Sequence, residues 1–244
     1  MAVLAGDPNV EYAEPDYLAR PARTPNDPEF GAQWALAKIS APAAWDVTTG
    51  SPGVVLAIVD SGVDTAHPEF TGRLWVNTGE VPGNGMDDDL NSKIDDVNGW
   101  NVVKNNGDLS DPNGHGTQVG GVAGAAADNG AGITGMCWQC RLMFVNAMQA
   151  GNVANYSDIA AAIQYASSNN AQVINLSLGG YADSSVLHDA IKEASTRAVI
   201  VAGAGNDDGS APFYPAAYPE VLAVAATDNG DQKAAALELA RRVP

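Results

Sequence analysis

The sequence contains no run approaching the roughly 18 consecutive apolar residues of a membrane-spanning helix, so no such span is expected. Basic residues are scarce: 12 Lys and Arg stand against 29 Asp and Glu, a formal charge of −17. Nucleic acid and anionic membrane surfaces both need clustered basic side chains, so neither is an expected partner. The acidic residues are themselves clustered, which points to cations instead. The opening "MAVLAGDPNVEY" has neither the charged start nor the apolar core of an export signal; if the mature protein is secreted, that signal is not in this sequence. Cysteine is nearly absent. Cys137 and Cys140, in "CWQC", leave a redox pair, half of a metal site and a small disulfide open. No second pair is present to complete a zinc site, and two half-buried thiols at the start of a strand is the preferred reading. No internal repeat of the solenoid kind is found.

What is present suffices for one α/β domain with a sizeable core: 244 residues, 45% of them apolar, with 26 glycines. Residues 1–30 are rich in proline and polar groups without a sustained period, and read as an arm or linker. From Trp34 onward the punctuation is regular. "VVLAIVD" (54–60) is a continuous β-branched apolar run ending at Asp60, the pattern of a central parallel strand covered on both faces. The pattern recurs at 142–148, 173–178, 198–205 and 221–227. Between these runs, "YSDIAAAIQYASSNN" puts Ile159, Ile163 and Ala166 on one helical face with Ser157 as N-cap, and "SSVLHDAIKEASTR" does the same with Val186, Ala190 and Ile191. Alternating strands and helices predict right-handed βαβ units in one sheet, with ligands and catalytic groups outside the carboxyl ends of its strands.

Three polar residues stand at such ends or beside them. Asp60 closes an apolar strand, where a partly desolvated carboxylate on rigid backbone can orient a histidine and stabilise its charged form; alone, a turn-capping Asp is the commoner role. His115 lies between glycines in "DPNGHGTQVGGVAGAAA", at the entrance of a small-residue helix. Asn206 follows Ala-Gly-Ala-Gly at the end of another strand, where its amide can donate to a developing oxyanion or merely occupy a turn.

Together, "VDSGVD", "NGHGTQVGG", "VINLSLGG", "AGAGND" and "YPAAYPEVLAVAATD", in this order, resemble the subtilisin-like serine proteases, the subtilases or peptidase S8 family, over most of the chain. The resemblance implies a secreted serine endopeptidase of three-layer α/β fold, with a central, mostly parallel sheet flanked by helices. It assigns Asp60 to orient His115, His115 as general base, and Asn206 to the oxyanion hole. Ser177, Leu178 and Gly179 become the strand that pairs with an extended polypeptide substrate or propeptide. Gln118 stands where the family commonly has a second histidine. The larger departure concerns the nucleophile: the Gly-Thr-Ser-Met-Ala type of turn that should follow Asn206 is not found. Ser210 lies four residues after the asparagine and before the next strand, Ser61 adjoins the Asp, and Ser177 sits in the peptide strand, so none is a credible substitute. Without the hydroxyl no acyl-enzyme forms, and no peptidase activity is expected of these 244 residues. A non-catalytic peptide-binding relative and a calcium-binding structural domain are the alternatives. Residues 1–22 resemble the end of a propeptide or linker and 23–244 the peptidase domain, starting as thermitase-like members do, with a monomer expected. The tail "KAAALELARRVP" looks like a helix from beyond the missing serine segment, which makes the C-terminal part incomplete and the chain clipped at both ends.

The acid clusters in two places. "GMDDDLNSKIDD" sets Asp87, Asp89, Asn91 and Asp95 at alternating spacing, as in a calcium loop, with Ser92 in place of the usual glycine and Asn98 in place of the closing acid. A solvated acidic loop is the bland alternative. By resemblance alone, Asp27, Glu69 and Asp128 form a second structural calcium site tying the arm to the domain.

Overall fold

In a computed structural model, residues 8–12, 14–16, 23–149, 151–207 and 211–233 are described. The expected tail helix beyond Lys233, and Ser210, lie outside them. The chain enters through two short helices, α1 (Trp34–Lys38) and α2 (Ala41–Val47), then alternates strands and helices. The strands are β1 (Val55–Asp60), β2 (Gly99–Asn101), β3 (Arg141–Asn146), β4 (Val173–Leu176), β5 (Val199–Gly203) and β6 (Val221–Val224). They form one six-stranded sheet in the order β2-β3-β1-β4-β5-β6, with every pairing parallel. The five apolar runs read from the sequence all appear, two or three residues shorter at several ends. The short strand β2 carries only three residues and gave no periodic signal.

Strand alternation explains the layers. On β1, Ala57 and Val59 face the cluster built with helices α4 (Tyr156–Ser168) and α5 (Ser185–Ser195), whereas Ile58 faces Phe70, Leu142 and Phe144 on the other side. That second face is covered by helix α3 (His115–Gly124), through Val119 and Ala123. Both faces of β1 are therefore dry, as its unbroken apolar run required.

Two helix expectations need correction. Helix α4 is capped by Asn155, not Ser157: Asn155 has the extended backbone of an N-cap and its amide donates to Asp158 in the first turn at 2.9 Å, while Ser157 lies inside the helix. On α5 the buried stripe is Leu187, Ala190, Ile191 and Ala194, at i, i+3, i+4 and i+7; Val186, one residue out of phase, is 61% exposed.

Cys137 and Cys140 form a disulfide, which overturns the reading as free thiols. Their Cα atoms are 5.6 Å apart because the "CWQC" turn brings its ends together. Trp138, between them, packs on Trp45 of α2 at 4.9 Å, and Trp45 donates to the Met136 carbonyl at 2.9 Å.

Helix α3 approaches the sheet unusually closely, and its glycines permit it. A Cβ at Gly120 would lie 2.5 Å from Cζ of the fully buried Phe144, whose ring is held edge-on against Phe70. Alanine is the better helix former by about 1 kcal/mol. Gly120→Ala should nevertheless destabilise the protein by about 1–3 kcal/mol through overpacking. The check is a lower urea midpoint at unchanged slope; an equal or higher midpoint would contradict the close approach.

Candidate active site

The carboxylate of Asp60 is wholly buried at the end of β1. Its Oδ1 accepts from the Ser61 backbone N–H at 2.7 Å and from Nδ1 of His115 at 2.7 Å. An ionised carboxylate can only accept, so the imidazole proton sits on Nδ1 and the Nε2 lone pair is left outward. His115 is the first residue of α3, after Gly114 in the left-handed conformation (φ 83°), and its side chain is 45% exposed. Its pKa is raised above the ordinary 6.5, chiefly by the Asp60 hydrogen bond, against the opposing effect of burial and with help from the charges of Asp60 and Asp111.

Asp111 is a residue that sequence reasoning missed. It accepts four hydrogen bonds: from the Ser61 hydroxyl at 2.8 Å, Gly114 N–H at 2.9 Å, Thr117 N–H at 2.9 Å and the Thr117 hydroxyl at 2.7 Å. Burial alone would raise its pKa; the donors from Thr117, Ser61 and Gly114 outweigh burial and lower it. Ser61 in turn accepts from Gly116 N–H at 2.9 Å. Asp111 and Ser61 thus tie the exit of β1 to the first turn of α3, clamping both members of the pair. The available signal was the Asp four residues before His115 in "DPNGHGT", at the entrance of a helix with unsatisfied N–H groups.

The other expected residues share this edge of the sheet. Ser177, Leu178 and Gly179 continue β4 beyond its last pairing, Leu176 with Val59 and Ala202. The extension is fastened at Gly180, which exchanges two backbone hydrogen bonds with Tyr214 at 2.8 and 2.7 Å. Asn206 is exposed and lies three residues past the end of β5, after Gly205 at φ 95°. Of these, only Asp60 is hydrogen-bonded to His115 among the described residues.

Among the described residues, the one group of three acidic, His or Cys side chains with ligand atoms within 4.8 Å of one another is Glu80, Asp87 and Asp89. None of the three is in a salt bridge among the described residues, and hard oxygen donors of this kind suit calcium. Asp87 and Asp89 of the expected loop are two of the three. Glu80 falls outside the motif read from the sequence, because a loop brings it back. The loop's carboxylates also accept from backbone N–H groups, Glu80 from Asp88, Asp89 and Asp95, Asp87 from Asn91 and Ser92, and Asp95 from Gly83 and Gly85 at 2.7 and 3.0 Å, while the Asn91 amide donates to Asp89 and Asp96. Asp27, Glu69 and Asp128 do not form such a group. Asp27 is buried and accepts from Asp128 N–H and Asn129 N–H, both at 2.9 Å, and from the Thr134 hydroxyl at 2.6 Å. Asp128 accepts from Asn26 N–H at 3.2 Å, and Glu69 is held near Asn129, its pKa raised by burial. These carboxylates tie the segment around Asp27 to the 126–134 loop through hydrogen bonds.

Comparison with known proteins places the geometry in context. The profile described as "Subtilase family" matches residues 51–238. A thermophilic serine proteinase from Bacillus sp. (strain AK1) is 39% identical over 233 residues, covering 95% of this chain and 53% of the relative. Thermitase from Thermoactinomyces vulgaris is 37% identical over 212 residues, covering 86% of this chain and 68% of thermitase. A solved protease structure from Pseudoalteromonas arctica aligns with a TM-score of 0.70 at 29% identity, covering 87% of this chain and 68% of the other. This chain thus spans about half the length of the first relative.

Two outcomes follow from the geometry. In an NMR titration the His115 midpoint should lie above 6.5 and fall in Asp60→Asn; a midpoint unchanged by that substitution would contradict the pairing. Because the folded pKa is raised, the associated stabilisation is fully present below the ordinary histidine value and fades as the pH rises through the folded midpoint. Asp111→Ala should cost about 2–3 kcal/mol by stranding its donors, and lower the His115 midpoint as well.

Proposed function

The chain belongs to the subtilase family, and from that membership we propose a subtilisin-like peptidase domain in which the 244 residues carry the general base but not the nucleophile. One observation carries the reading: the hydrogen bond between His115 Nδ1 and Asp60 Oδ1 at 2.7 Å, at the carboxyl end of the central strand. In this arrangement Nε2 of His115 takes the proton of an attacking hydroxyl, and Asp60 stabilises the imidazolium that results. Asn206 donates to the oxyanion, while Ser177, Leu178 and Gly179 pair with an extended polypeptide.

Neither Ser61 nor Ser177 fits the nucleophile. Ser61 has its hydroxyl committed to Asp111 and Gly116, and Ser177 accepts from the Asn175 amide at 2.9 Å within the peptide strand. Residues 23–244 form the peptidase domain and 1–22 the remnant of a propeptide or linker. The domain works outside the cell as a monomer; the Cys137–Cys140 disulfide suits an oxidising compartment. Calcium is held by Glu80, Asp87 and Asp89, where it offsets the repulsion of three adjacent carboxylates.

Two tests apply. The purified chain should neither cleave casein nor be labelled by a fluorophosphonate; stoichiometric labelling of any serine would overturn the absence of a nucleophile. Excess chelator should lower the melting temperature of calcium-loaded protein by about 5 °C, a shift that disappears in Glu80→Gln. An unchanged midpoint on chelation would remove the metal from this loop.

A further inference from the structure

The chain has three histidines, and hydrogen bonding fixes a different role for each. His67 Nδ1 accepts from the Glu69 N–H at 3.3 Å, so the neutral ring carries its proton on Nε2 and that nitrogen has no free lone pair. His188 has Nε2 engaged with Glu220 at 3.0 Å and its ring stacked on Tyr218 at 4.1 Å. Among the described residues, only His115 donates through Nδ1 to a buried carboxylate while its Nε2 has no hydrogen-bond partner, on a partly exposed ring.

We propose that this chain hydrolyses small, activated aryl esters with Nε2 of His115 itself as the nucleophile. The inference rests on the reading that no serine here acts as nucleophile, since a serine would intercept the acyl group first. In the first step a bond forms between Nε2 and the acyl carbon, and the carbon–oxygen bond to the aryl group breaks, the aryloxide leaving with the electron pair. The Nδ1 proton stays in its hydrogen bond to Asp60, so the product is an acyl-imidazolium beside that carboxylate. Water then adds to the acyl carbon, the carbon–nitrogen bond breaks, and carboxylate and imidazole are regenerated with protons released to solvent. Peptide bonds are not substrates, because the amine leaving group is too basic to depart from imidazole unaided. The adjacent carboxylates Asp60 and Asp111 and the charge of −17 favour a neutral acyl group over an anionic one.

The test uses the full chain with p-nitrophenyl acetate. The wild-type rate should exceed that of His115→Ala by about tenfold or more, within the range of a positioned catalytic group. Asp60→Asn should lose a similar factor, because the amide reverses the tautomer; its circular dichroism checks that it is folded. His67→Ala and His188→Ala should retain the wild-type rate. Acid quench during turnover should reveal one acetyl group on His115 by mass spectrometry. Equal rates in wild type and His115→Ala overturn the proposal, as does a His115-dependent rate with no acetyl at that residue. The two readings fail separately: fluorophosphonate inhibition of the ester reaction refutes the missing nucleophile, whereas absence of any His115-dependent rate refutes only the esterase.

Discussion

A carboxylate buried without a counter-cation is costly, and Asp60 is one. Its position at the end of β1 is set by a strand apolar on both faces, and the hydrogen bonds it accepts come from the next backbone N–H and from His115. The second oxygen, Oδ2, is buried with no hydrogen-bond partner among the described residues. The charge is thus stabilised by one backbone N–H and one imidazole, and the latter makes the protonated ring favourable and its tautomer fixed. The rest of the site is arranged so that this bond can form.

That arrangement depends on distance. Helix α3 must come close enough to put its first residue against the end of β1, and side chains larger than hydrogen at Gly116 and Gly120 would prevent it. The gap is then closed by polar atoms: Asp111, Ser61 and Thr117 join β1 to α3, and Thr117 also accepts from Asp64 N–H at 2.9 Å. Hydrophobic packing brings the elements together, while this small network sets their register to within a hydrogen bond. A hydroxyl that looks from its sequence position like a stray serine, Ser61, is part of the fastening.

Legibility followed physical range. The strands were readable because a buried parallel strand must be apolar throughout; Asp60 stood out because it closes such a run, and His115 because it stands between glycines at the entrance of a helix. Asp111 was missed because an acid before a helix reads as a solvated cap, and only the fold shows that its donors come from two elements. Glu80 joins Asp87 and Asp89 across a loop whose path no local spacing encodes. The disulfide was left among open alternatives because two residues between cysteines fit several chemistries, and the turn geometry decides between them.

The central claim is that Asp60 fixes the proton of neutral His115 on Nδ1. The most direct measurement is the pair of imidazole ¹⁵N chemical shifts of His115 at a pH well above its titration midpoint. A pyrrole-type shift at Nδ1 and a pyridine-type shift at Nε2 are predicted. The reverse assignment, or averaged shifts indicating two tautomers in exchange, would contradict the account.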